Sequence, residues 1–106
     1  MFGSAATVDL GGDLDQARLD ALRSALRLEP EGSLDDGYDE IQGQRVNDVA
    51  GGRLRVLLLR TNVGGPWSFG VDVEGQPPAE VIQAVVQEVA AAAQRFGLSV
   101  VGVTWG

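Results

Sequence analysis

Two segments constrain this chain more than any other feature. Arg53 to Arg60 alternates as far as Val56 and then runs apolar through Leu59, Trp67 to Glu74 alternates apolar and polar side chains throughout, and Thr61-Asn62-Val63-Gly64-Gly65-Pro66 stands between them. Alternation on either side of a Gly- and Pro-bearing connection specifies a β-hairpin. If Arg53 stands opposite Glu74, then Leu54, Val56 and Leu58 meet Val73, Val71 and Phe69 on one surface. On the other surface Arg53 and Arg55 meet Glu74 and Asp72. A slip of one residue would set arginines against core valines, so hydrophobic pattern and charge pairing select the same register. Arg60 then comes beside Trp67, close enough for a cation–π contact.

The remaining elements arrange themselves around this ribbon. Ala5 to Leu10 reads as a short strand closed by Gly11-Gly12. Asp13 as N-cap, Gln16 three residues on and a helical recurrence of Leu14, Ala17, Ala21, Leu22, Ala25 and Leu28 predict a helix over 13–28. Leu19 and Leu26 flank that stripe, while Asp20, Arg23 and Arg27 fall on the side away from it. Arg18, inside the apolar arc, is expected to snorkel outward or to pair with Asp9. Residues 29–52 lack periodicity; Tyr38, Ile41, Val46 and Val49 suggest a loose edge hairpin there. A second helix is predicted over 78–96, with Ile82, Val85, Val86, Val89, Ala93 and Phe96 inward and Gly97 as its left-handed stop. Leu98 to Trp105 is apolar and β-branched almost throughout, the pattern of an interior strand covered on both faces. Trp67 and Trp105, at strand ends, are both expected in the core.

The length of 106 residues accommodates one domain, 1–106. The order strand, helix, strand, strand, helix, strand resembles the ferredoxin-like plait. The resulting fold class is α+β: a two-layer ferredoxin-like βαββαβ sandwich of four or five strands, with 29–52 inserted before the second strand and able to add an edge strand. The resemblance covers element order alone. Acylphosphatases share the plait, but their motif would need a phosphate-binding Arg after the first strand, where this chain has Gly11-Gly12-Asp13. Gly11-Gly12 is similar to the glycines that ACT-type amino-acid-binding domains place between first strand and first helix. That resemblance implies a small-molecule regulatory domain with a ligand at Gly11 and Gly12.

The chain has no His and no Cys, and all eight of its cations are Arg. This removes imidazole bases, thiolate nucleophiles, Schiff-base and P-loop lysines, and the usual zinc and haem ligands. No catalytic residue, cofactor or metal is therefore expected. Arg without Lys beside 15 Gly is the usage of a GC-rich, bacterial genome. The formal charge of -7 repels polyanions, so no nucleic acid is expected as a partner, whereas a basic protein would be attracted. No apolar run reaches the length of a membrane span and no basic residue precedes Arg18, so no membrane association and a cytoplasmic location are expected.

Two surfaces stand out as interface candidates. Asp35, Asp36 and Asp39 surround Tyr38, an aromatic anchor ringed by charge of the kind found at docking sites. The same acids would be the ligands if the protein were a carboxylate-metal hydrolase, although their spacing is not that of an EF-hand. The second surface is the sheet face bearing Arg53, Arg55 and Asp72, which continues into Leu57 and Leu59. Burying two leucines is worth about 3–6 kcal/mol, so the 29–52 insertion, a second copy or a partner is expected to cover them. The function expected from these features is a non-catalytic protein-interaction module: an adaptor, an assembly subunit or an acidic immunity-type inhibitor. It would use the open face and the acidic loop, with a protein partner or a homodimer as its complex.

Overall fold

Burial of one surface of the hairpin organises the whole chain. The computed structural model describes residues 1–32, 34, 40–61 and 66–106. It contains strands β1 (Gly3–Gly11), β2 (Glu29–Pro30), β3 (Ile41–Val49), β4 (Gly52–Arg60), β5 (Trp67–Gly75) and β6 (Ser99–Trp105). Helix α1 (Gln16–Ala25) follows β1 and helix α2 (Ala79–Arg95) follows β5. The strands form a six-stranded antiparallel sheet in the order β2-β3-β4-β5-β1-β6.

The β4–β5 ladder has the register demanded by its sequence, from Arg53 opposite Glu74 to Arg60 opposite Trp67. Leu54, Val56, Leu58, Phe69 and Val71 are buried, together with Ala6, Val8 and Leu10 of β1. Leu19, Leu22 and Leu26 near α1, and Val86, Val89 and Ala93 of α2, join them in one core cluster on this side of the sheet.

The six-stranded order differs from that of the ferredoxin-like sandwich of four or five strands expected from element order. The cause is the 29–52 insertion, which contributes β2 and β3 and widens the sheet beside β4. Buried arginines hold this extension to the helices. Arg23, only 6% exposed, donates from Nε to the Gln42 carbonyl at 2.7 Å and from Nη2 to the Glu31 carbonyl at 2.8 Å. Arg45 donates to the Leu26 carbonyl at the end of α1 and reaches Glu88 of α2 at 2.6 Å. These guanidinium groups add donors at a helix end and a sheet border, where the Gln42 carbonyl also accepts from the Glu31 N–H at 3.3 Å. Helical spacing alone placed Arg23 outward; β2 and β3 bring acceptors to its side of α1.

Other elements shift in instructive ways. α1 begins later than Asp13, because Asp15 is the residue whose carboxylate caps it, accepting from the Arg18 N–H at 2.8 Å. Gln16 does not close a capping box; its Nε2 donates to Asp20 at 2.9 Å. The buried stripe of α1 runs through Leu19, Leu22 and Leu26, leaving Ala17 and Ala25 exposed. Arg18 neither pairs with Asp9 nor simply snorkels: it donates to the Phe96 carbonyl at 3.2 Å and the Asp13 carbonyl at 2.8 Å. It thereby places its cation at the C-terminus of α2, where the helix dipole favours it. Gly97, at φ 91, ends that helix, and a Cβ there would lie 2.6 Å from Arg18 Nη1.

β6 is an edge strand rather than an interior one, and Trp105 lies 55% exposed outside the core. Trp67, by contrast, is buried with Arg60 5.5 Å from its ring. Among the described residues, no helix is long and apolar enough to cross a membrane.

Arg23→Met should lower the unfolding free energy by about 1–3 kcal/mol, since it removes the charge-assisted bonds from the buried guanidinium to the Gln42 and Glu31 carbonyls. Urea titration checks this, and a change within about 0.5 kcal/mol would show that Arg23 behaves as an ordinary surface residue.

Candidate functional site

The ladder registers lay out the sheet face opposite the helices as successive rows. Asp48, Arg53 and Glu74 form the first, and Val46, Arg55 and Asp72 the second. Gln44, Leu57, Gly70 and Thr7 form the third, followed by Ile41, Leu59, Ser68 and Asp9. Because side chains alternate across a strand, each row points away from the helices. The face thus grades from a charged end to an apolar one.

The charged end is internally matched and partly covered. Arg55 meets Asp72 at 2.7 Å, and Arg53 lies 3.9 Å from Asp48. The Phe2 ring lies beneath both guanidiniums, at 4.6 Å from Arg55 and 5.5 Å from Arg53, and the terminal amine of Met1 approaches Glu74 at 3.3 Å. These side chains hold one another in place, so little unpaired charge is offered here.

The apolar end has no such cover among the described residues. The insertion was one expected lid, yet residues 41–49 lie within the sheet as β3, beside the leucines rather than over them. Leu57 and Leu59 are half-buried by a different means. They lean over Gly70, where a Cβ would lie 3.6 Å from Leu59 and 3.8 Å from Leu57. Ile41, 37% exposed, extends the apolar end onto β3, whereas Val46, 42% exposed, stands in the charged second row with Gln44 between the two. Two shallow hollows sharing Thr61 and Ser68 border the apolar end, one reaching Glu40 and Arg60 and the other Asp9, Trp67 and Val101. The alternating pattern located Leu57 and Leu59; Ile41 and Val46 escaped sequence reasoning because Gly43 and a bulge interrupt alternation in β3.

The other candidates are dispersed. Asp35, Asp36, Asp39 and Tyr38 lie outside the described residues. Among the described residues, no three acidic, His or Cys side chains gather to hold a metal ion. At Gly11 a Cβ would lie 2.7 Å from Ser99 Oγ and 3.2 Å from Val101, and Gly12, at φ 99, backs onto Leu98. The pair therefore packs against the start of β6 and turns the chain toward α1.

Asp13, just beyond these glycines, accepts from the Trp67 indole N–H at 2.8 Å and from the Leu14 N–H at 2.8 Å. Those bonds, Trp67 foremost, hold its carboxyl below the ordinary aspartate value, with the Arg60 and Arg18 charges assisting against a small burial effect. This contact ties the loop before α1 to the end of β5.

The chain matches no protein-family model, no curated protein and no solved structure.

A lowered carboxyl pKa makes a stabilising contribution that is fully present above the unfolded value of about 3.9 and is lost as pH falls through the folded value. Asp13→Asn should therefore be less stable than the wild type near neutrality, by no more than about 1 kcal/mol because the side chain is exposed. The gap should close as the pH is taken from about 6 to below 3. Melting curves across that range measure it, and a gap independent of pH would contradict the assigned contact.

Proposed function

We propose that the protein is a non-catalytic protein-interaction module, an adaptor, assembly subunit or acidic immunity-type inhibitor, that meets a protein partner on the uncovered sheet face. One observation carries this reading: Leu57, Leu59 and Ile41 adjoin on the side of the sheet that the helices leave open, with Val46 exposed beyond Gln44 on the same side. Apolar surface of this kind, rimmed by matched charge, is the composition of a contact site.

The chemistry available supports the non-catalytic part. With no His, Cys or Lys, general acid–base work would fall to carboxylates or Tyr38, and no imidazole is present to activate a hydroxyl nucleophile. Of the described carboxylates of the face, Asp72 and Asp48 are engaged with arginines and Glu74 with the terminal amine, while Asp9 stands apart from them in the last row. The partner's charge follows from the whole chain: Arg53 and Arg55 are neutralised locally, so the net charge of -7 draws in a basic surface at long range while the leucines supply the short-range contact.

We infer also that β1, β4, β5 and β6 with the two helices are a ferredoxin-like plait onto which β2 and β3 are grafted. The order β4-β5-β1-β6 inside the larger sheet supports this descent. A cytoplasmic setting accords with the reading, since neither the matched face nor the acidic surface is suited to a lipid headgroup layer.

Leu57→Glu combined with Leu59→Glu should keep the far-ultraviolet circular dichroism of a folded chain while lowering the melting temperature by several degrees, because both leucines are half-buried over Gly70 but neither enters the helix-side core. The same pair should weaken capture of a basic partner by at least about tenfold, since a partner can bury only the exposed half of each leucine, about 0.8–1.5 kcal/mol apiece. Wild-type affinity should also fall as salt rises from about 0.05 to 0.5 M. A partner held equally well by the double variant, or at all salt concentrations, would contradict the proposed surface.

A further inference from the structure

None of the seven residues of β6 is charged, and among the described residues the strand pairs only with β1, so that among them no strand covers the backbone groups of its outer border. Edge strands are ordinarily guarded by charge, proline, a bulge or shortness, because an open border templates further pairing. The opposite border of this sheet has every one of these guards. β2 is two residues long and contains Pro30, β3 has a bulge between Ile41 and Gly43, and Arg45 and Asp48 stand along it. β6 has one such guard, a bulge at Val101 opposite Asp9 and Leu10, and neither charge, proline nor a two-residue length. From Gly102 to Trp105 its ladder is regular.

The hydrogen-bond pattern shows which groups point outward. Gly106 donates its N–H to the Ala5 carbonyl at 2.9 Å, while Trp105 stands opposite Ala6 and Val103 opposite Val8. In an antiparallel ladder the bonded residues alternate, so Trp105 and Val103 turn their N–H and C=O away from β1. The side chains of these same two residues lie toward the helix side, 55% and 36% exposed.

We propose that this border binds a second copy of the same chain, β6 against β6, antiparallel about a two-fold axis at Thr104. Val103 of each copy then stands opposite Trp105 of the other, and the two exchange their outward N–H···O=C bonds. Thr104 meets its own counterpart at a non-bonded position. Aromatic against β-branched, and Thr against Thr, are the cross-strand pairs that stabilise such ladders. An axis at Val103 would instead set Trp105 against Val101, which the irregularity turns to the other face, so the strand complements itself in one register. Chains of net charge -7 can approach here because β6 is neutral. The axis runs perpendicular to the sheet, so the dimer has twice the six strands and ends on two guarded borders, which closes the assembly. Both uncovered faces lie on the same side of it.

Sedimentation equilibrium over a wide concentration range tests this. The wild type should reach twice the 11.1 kDa chain mass. Val103→Pro removes an outward N–H that β1 does not use, and Thr104→Lys sets two cations together at the axis. Each should weaken the dimer at least tenfold while the melting temperature shows a folded chain, and Thr104→Lys alone decides the matter if the proline variant unfolds. Thr104→Cys, in a chain without another cysteine, should form an interchain disulfide readily, since non-bonded partners lie about 4.5 Å apart between Cα atoms. Leu57→Glu should leave the dimer intact, which separates this border from the sheet face. A wild type at the mass of one chain up to millimolar concentration would overturn the proposal. So would a dimer lost with Leu57→Glu but kept with Thr104→Lys.

Discussion

The unequal treatment of the two sheet faces is the constraint on which the rest of the structure depends. Both helices lie over the surface bearing Val8, Leu54, Val56, Leu58, Phe69 and Val71, and that side is closed. The ribbon between Arg53 and Glu74 enforces this choice, because its apolar row and its ion pairs cannot both be satisfied in any other register. What remains on the reverse side is determined by the same alternation: the residues interleaved with the core are Arg53, Arg55, Leu57 and Leu59. The reverse face is therefore a by-product of the core's geometry, and its apolar half requires a separate explanation.

Two features reduce the cost of leaving that half open. Gly70 leaves a notch beneath Leu57 and Leu59, so each leucine is half-buried without a third layer. At the other end, Phe2 and the ion pairs cover one another. The outcome is a face stable enough for an isolated chain yet still apolar at Ile41, Val46, Leu57 and Leu59, which is the balance a reversible contact surface needs.

The hairpin, its register, the cation–π contact of Arg60 with Trp67 and the Gly97 stop were legible because each rests on local periodicity or on a single stereochemical requirement. The insertion was not. β3 contains Gly43 and a bulge, so its alternation is broken, and its place in the sheet depends on Arg23 and Arg45 reaching carbonyls distant in sequence. No window of sequence reveals that pairing. The position of β6 failed for a related reason: an apolar run reads the same whether a strand is covered on both faces or open along one border, and only the neighbours distinguish them. Of the candidate site, Leu57 and Leu59 were legible from alternation, whereas Ile41 and Val46 required the β3–β4 register.

The central claim is that the reverse face is open in the isolated chain. Methyl resonances in the presence of a soluble paramagnetic agent, recorded at high dilution, test it most directly. The methyl groups of Ile41, Val46, Leu57 and Leu59 should broaden strongly while those of Leu54, Val56 and Leu58 stay sharp. Equal protection of Leu57 and Leu54 would show that the chain shelters this face itself, and the account would not stand.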